Sequence, residues 1–110
     1  EPTPTPDPTP TPEPTATPAT PAAPSNLIAT AVSTTQINLS WQDNSSNEDQ
    51  FVIERKSGTS FVVIATVPAN TTTYSNTGLK KNTTYTYRVK ARNAAGDSAY
   101  SNEASAKTPR

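Results

Sequence analysis

The chain has 110 residues, carries no net charge, and contains no Cys, His or Met. Disulfides, thiolate or imidazole metal sites, and nucleophilic chemistry that needs a Cys or a His base are therefore excluded. No run approaches the roughly 18 apolar residues of a membrane helix and no basic-then-apolar leader precedes Glu1, so the sequence reads as a piece of something longer with no membrane span.

Residues 1–24 hold ten Pro and seven Thr and no aromatic, Leu, Ile or Val. Such a segment buries too little apolar surface to offset its ordering entropy. Alternating Pro fixes its own φ and biases the residue before it towards extended backbone, so residues 1–23 are read as an extended Pro/Thr linker and residues 24–110 as one domain. At about 3.1 Å per residue the linker could span roughly 70 Å as a semi-rigid spacer. NMR order parameters are expected to be low across residues 1–22, since nothing in the segment holds it to the domain. PxxP spacings occur in it, but the aliphatic or basic residues that tune Pro-recognition ligands are missing. Thr beside Pro also fits an O-glycosylated stalk. Charge divides unevenly: Glu1, Asp7 and Glu13 make the linker negative, while six acidic and nine basic residues leave the domain mildly positive. That excess is far from a nucleic-acid footprint, and no nucleic-acid partner is expected.

After Pro24, Leu27, Ala29 and Ala31 or Val32 read as a first strand, with Ser33–Thr35 as its turn. Ile37, Leu39 and Trp41 alternate with polar residues to make a second strand with one dry face. Asp43–Gln50 is polar and rich in turn formers, hence a loop. In the third strand Phe51, Ile53 and Arg55 share a face and Val52 and Glu54 take the other, ending at Lys56-Ser57-Gly58. Phe61–Val67 is an uncharged fourth strand stopped by Pro68, and Thr71–Ser75 a short fifth. The sixth strand has the strictest alternation: Tyr85, Tyr87, Val89 and Ala91 on one face, Thr86, Arg88, Lys90 and Arg92 on the other. Asn93–Ser98 follows as a hairpin loop and Ala99–Thr108 as a seventh strand. Seven short strands with no helical period imply an all-β, antiparallel β-sandwich.

Three stretches carry a family resemblance: PSNLIAT followed by INLSW with its Trp41, the Leu79-to-Tyr85 spacing of LKKNTTY, and VKARNAAGDSAYS. Together they resemble a fibronectin type III domain over residues 24–108, most like the bacterial versions found in secreted multidomain enzymes. The resemblance implies an immunoglobulin-like, seven-stranded sandwich in which Trp41, Leu79, Tyr85 and Tyr87 are structural. In such sandwiches a tyrosine opening the sixth strand folds its hydroxyl back to an upstream backbone group, and Tyr85 holds that place, with Tyr87 where a disulfide cysteine would stand. Asn76 and Thr77 depart from the pattern, because an aliphatic residue is common there; Tyr74 is expected to supply the packing.

Candidate chemistry is sparse. Asp43, Glu48 and Asp49 form an acidic loop with no partner that would complete a catalytic constellation, so no catalytic residue is assigned. Asp43, Ser45, Asn47 and Glu54 have the spacing of an EF-hand's first, third, fifth and twelfth positions, but Glu48 stands where Gly is required and the flanks are strands, so no metal and no cofactor is expected. Arg88, Lys90 and Arg92 form a basic row that could meet an anionic polymer, or simply pair with Glu54. No rings are expected beside that row, and Phe61 and Tyr100 remain as scattered surface aromatics. Asn38, Asn44, Asn70 and Asn82 each open an N-x-[ST] sequon.

The sequence thus reads as a non-catalytic spacer or stabilising module of a secreted multidomain protein, in the resemblance a polysaccharide-degrading one. Its expected partners are the neighbouring domains of its own chain, and it is expected to be a monomer. The alternative is a carbohydrate- or cell-wall-binding module, for which Phe61, Tyr100, Arg88, Lys90 and Arg92 are the surface candidates.

Overall fold

The computed structural model describes residues 19–110, and all regular structure in them is β. The spacer reading of residues 1–18 falls outside the described residues. The strands are β1 (Ser25–Ser33), β2 (Gln36–Gln42), β3 (Gln50–Ser57), β4 (Ser60–Pro68), β5 (Thr73–Asn76), β6 (Thr84–Asn93), β7 (Gly96–Asp97) and β8 (Ala104–Lys107). One sheet runs β1-β2-β5 and the other β4-β3-β6-β7, with β8 also on β6; all pairs are antiparallel.

Alternation decides which side chains meet between the sheets. Leu27 from β1, Ile37, Leu39 and Trp41 from β2, Phe51 and Ile53 from β3, and Tyr87, Val89 and Ala91 from β6 form one buried cluster with Leu79. Burying each large side chain contributes about 1.5–3 kcal/mol, so this cluster supplies the cross-sheet cohesion that a disulfide gives related sandwiches. Trp41 meets Phe51 edge-to-face, with ring centroids 5.6 Å apart. Its Nε1 is the one buried side-chain polar atom among the described residues without a hydrogen-bond partner.

Besides the register shifts of β1 against β2, two stretches depart from the expected pattern. In β4 the register slips between Ile53 and Glu54, because Ile53 faces Ala65 while Glu54 faces Val63, leaving Ile64 as an extra residue. This bulge turns the strand over, so Phe61 and Val63 lie on the outer face and Ala65 and Val67 pack inward. The expected seventh strand, Ala99–Thr108, is instead β7 and β8 separated by an irregular stretch. There Ser98 and Ser101 keep half of the ladder, their backbone N–H groups donating to the Ala91 and Val89 carbonyls at 2.8 and 2.7 Å, while the N–H groups of Ala91 and Val89 donate to the Ser98 and Ser101 Oγ atoms at 2.8 and 3.0 Å. Asn102 closes the other side, accepting from Leu27 N–H at 2.9 Å and donating to Leu27 C=O at 3.1 Å.

The structured part also begins earlier than composition suggests. Within the stretch assigned to the linker, Pro21 is buried, and the carbonyls of Ala19 and Ala23 accept hydrogen bonds from Asn44, Asn47 and Asn93. The expectation of no contacts up to residue 22 therefore fails for residues 19–21. Composition could not show it, because the donors come from Asn side chains far along the chain.

Candidate functional site

The residues singled out in the sequence fall into three groups: a corner, a buried polar junction and an outer sheet face. At the corner, Lys80 N–H donates to Tyr85 Oη at 2.9 Å, and Leu79 is buried beneath. The other side of Lys80 is held as well, since Thr108 Oγ1 donates to Lys80 C=O at 2.6 Å and accepts from Thr83 N–H at 3.0 Å. Thr108 is fully buried, and only the folded chain brings it to this turn. Tyr85→Phe is expected to destabilise the domain by about 1 kcal/mol, at the modest end for a lost hydrogen bond because water can reach Lys80 N–H. A denaturant midpoint that does not move would remove the hydroxyl from the corner's stability.

The junction is formed by Asn76, whose Oδ1 accepts from Tyr87 Oη at 2.7 Å and from Arg55 Nη1 at 3.0 Å. The Arg55 guanidinium also lies 5.3 Å from the Tyr85 ring centroid. Tyr87 is fully buried, and burial pushes its phenol up to about 12. It therefore keeps its proton at ordinary pH and donates a hydrogen bond to Asn76. Asn76 joins the sheets, since it pairs with Ile37 of β2 while the donors to its Oδ1, Arg55 and Tyr87, stand on β3 and β6. Tyr74 packs against the core as the sequence led one to expect, while the polar role of Asn76 was not foreseen.

The outer face of β4-β3-β6 holds the surface candidates. Register sets Glu54 opposite Arg88 on one side and opposite Val63 on the other, so acid and base stand side by side. Arg88 Nη2 approaches Glu54 Oε1 at 2.8 Å and Arg88 Nε at 2.9 Å, while Tyr100 Oη donates to Glu54 Oε2 at 2.8 Å. Lys90 Nζ lies 3.6 Å from Glu54 and 2.8 Å from Asp97, and Arg92 Nε lies 2.6 Å from Asp97. Arg92 and Lys90 together hold the Asp97 carboxyl far below the usual range.

Rings do stand beside this row, contrary to the expectation from the strand's own sequence. The Arg88 guanidinium is 4.0 Å from the Phe61 centroid and 3.6 Å from that of Tyr100, and Lys90 Nζ is 5.0 Å from Tyr100. Phe61 arrives through the β4 bulge and Tyr100 from the irregular stretch before β8, so neither could be read from alternation in β6. Glu54 and Val52 are both buried although they belong to the outer face, and Arg88 and Tyr100 lie directly against Glu54.

The acidic loop is internally committed. Ser45 Oγ donates to Glu48 Oε2 at 2.6 Å, Asn70 N–H donates to Glu48 Oε1 at 3.3 Å, and Ser45 N–H donates to Asp43 Oδ1 at 3.0 Å. Burial pushes Glu48 up, but these hydrogen bonds outweigh it and hold the carboxyl below its ordinary value; burial and the neighbouring Glu48 push Asp43 up. Glu54, the last residue of the EF-hand spacing, points to Arg88 and Tyr100 rather than to the loop. Among the described residues no group of three or more acidic side chains is placed to hold a metal ion.

Comparison with known proteins gives these features a frame. The sequence model described as "Fibronectin type III domain" matches residues 22–107. The chain is 41% identical over 85 residues to Chitinase A1 of Niallia circulans, covering 76% of this chain and 12% of that protein. It is 38% identical over 86 residues to an Alpha-amylase of the same organism, covering 77% of this chain and 6% of that one. The chain thus spans only a small part of the curated relatives it matches. Among solved structures, it is similar to a Fn3-like protein from Clostridium thermocellum, with 30% identity, a TM-score of 0.69, and coverage of 84% of this chain and 97% of that one.

Proposed function

Since the chain belongs to the fibronectin type III family, we propose that it is a non-catalytic spacer and stabilising module of a secreted, polysaccharide-degrading multidomain enzyme, joined to its neighbours through the Pro/Thr linker of residues 1–23. The matches to a chitinase and an amylase cover only a short part of each enzyme, which supports an accessory place beside the catalytic machinery rather than a share in it. That same kinship supports an extracellular setting. No helix among the described residues is long and apolar enough to cross a membrane.

The observation that carries the reading is the commitment of the outer face. A sugar-binding platform needs flat ring faces turned to solvent, with polar groups free beside them. Here Phe61 and Tyr100 both face Arg88, and the cations of the row face Glu54 and Asp97. Two carboxylates among three cations leave the row only mildly positive, which also fits a module with no nucleic-acid partner.

Pull-down of the 110-residue chain on insoluble chitin, starch, cellulose, xylan and peptidoglycan, at low and high salt, tests the proposal. Retention at background level and no release of soluble sugar are expected. Weak retention lost in salt is the response of a mildly positive domain to anionic polymer and agrees with the spacer role. Salt-resistant, saturable binding abolished by Phe61→Ala or Tyr100→Ala would replace the spacer with a carbohydrate- or cell-wall-binding module.

A further inference from the structure

Three asparagines at one end of the sandwich converge on the chain that enters it. Asn47, in the β2–β3 loop, donates from Nδ2 to Ala19 C=O at 3.0 Å. Asn93, at the end of β6, donates from Nδ2 to the same carbonyl at 2.9 Å and to Asn47 C=O at 3.1 Å. Asn44 donates from Nδ2 to Ala23 C=O at 2.9 Å and to Ser25 Oγ at 2.9 Å. Between the two gripped carbonyls, Pro21 is buried, and the Thr20 methyl lies against Gly96: a Cβ there would stand 3.4 Å from Thr20 Cγ2.

The donors are pre-set rather than recruited. Ala95 N–H donates to Asn93 Oδ1 at 2.8 Å, which turns the Nδ2 end of that carboxamide towards Ala19. Asp49 N–H donates to Arg92 C=O at 2.8 Å, fixing the β2–β3 loop against β6 beside it. Gly96 has φ of +136°, a conformation that L side chains rarely adopt, so the same residue shapes the hairpin and leaves room for Thr20.

We propose that Asn44, Asn47 and Asn93 form a linker clamp, a binding site for the backbone of Ala19–Ala23 that fixes the direction in which the Pro/Thr segment leaves the sandwich. The chemistry suits the occupant. A Pro-rich backbone lacks donors at each Pro and makes no internal hydrogen bonds when extended, so its carbonyls seek N–H donors from elsewhere. Neutral carboxamides supply them without a charge to desolvate. A spacer clamped at its root sets the bearing of the upstream chain, whereas one hinged freely at Pro24 sets only its maximum distance. The clamp does not depend on whether the outer sheet face binds polysaccharide, so it stands or falls separately from the spacer role.

Backbone 15N relaxation on the full 110-residue chain tests it, read at Ala19, Thr20, Ala22 and Ala23. In the unaltered chain, order parameters near those of rigid backbone, about 0.85, are expected at these residues. Asn47→Ala, which leaves the Asn93 turn intact, is expected to lower the values at Ala19 and Thr20, and Asn44→Ala those at Ala22 and Ala23. The Asn47→Ala, Asn93→Ala double variant should bring Ala19 and Thr20 below about 0.6, with the amide shifts of β3 unchanged. Values already below about 0.6 in the unaltered chain, or values that none of the three variants lowers, would overturn the clamp.

Discussion

Asn76→Ala is expected to destabilise the sandwich by about 2–3 kcal/mol, although it removes only a small polar side chain from the short strand β5. The loss falls mainly on Tyr87, whose hydroxyl is buried between the sheets with Asn76 Oδ1 as its acceptor at 2.7 Å. A buried donor left without a partner costs about 1–3 kcal/mol, while Arg55, only half-buried, can turn to water. The comparison with Tyr87→Phe makes the mechanism separable. In the unaltered chain, Tyr87→Phe should cost about 1 kcal/mol, and in the Asn76→Ala background it should cost nothing or stabilise, because removing both partners leaves no orphaned group. Denaturant melts of the four proteins give the cycle directly. Additive losses would show that the two side chains act independently and that the cost of Asn76→Ala lies elsewhere.

Asn76 also marks where sequence reasoning ran out. The strands with one dry face were legible because period-two alternation maps directly onto inside and outside: Ile37, Leu39 and Trp41 in β2, and Tyr87, Val89 and Ala91 in β6, all join the core. The all-β sandwich follows from that alternation, and the match to the fibronectin type III family agrees with it. What alternation cannot express is a change of face within a strand. Phe61–Val67 is apolar throughout, so nothing in it announces the bulge at Ile64 that sends Phe61 outward to Arg88. Nor can it express a side chain standing in for backbone. Ser98 and Ser101 read as ordinary turn or strand residues, yet their hydroxyls take the β6 amides where a continuous strand was expected. The outer face suffered most from this limit, since its basic row came from one strand while its acids and rings came from four other segments. The clamp was invisible for the same reason: Ala19 and Asn93 lie 74 residues apart.

The outer face carries the second large effect. Glu54→Ala is expected to cost about 3 kcal/mol, the low end for breaking a buried ion pair, because Arg88 is 25% exposed and can recover some hydration. The substitution also leaves Arg88 and Lys90 without the carboxylate that stands between them and Tyr100 without its acceptor, so two like charges come to share the face. The effect has a pH signature. Burial pushes the Glu54 carboxyl up from its ordinary value of 4.5, but hydrogen bonds from Arg88 and Tyr100, with the charges of Arg88 and Lys90, outweigh that and hold it lower. A carboxyl lowered in the folded state contributes stability that is fully present above its unfolded value and is lost as pH falls through the folded one. Glu54→Gln keeps the shape and removes the titration, so the stability gap between it and the unaltered chain should be constant from about pH 8 to pH 5 and close as pH falls further. The chain has no His to titrate within that plateau. Glu48 titrates in both proteins and cancels in the difference. Urea melts across this range decide the matter: a gap that does not narrow at all as pH falls, or one absent at neutral pH, would mean that the Glu54 charge contributes nothing and that the outer face is held by its rings and stems alone.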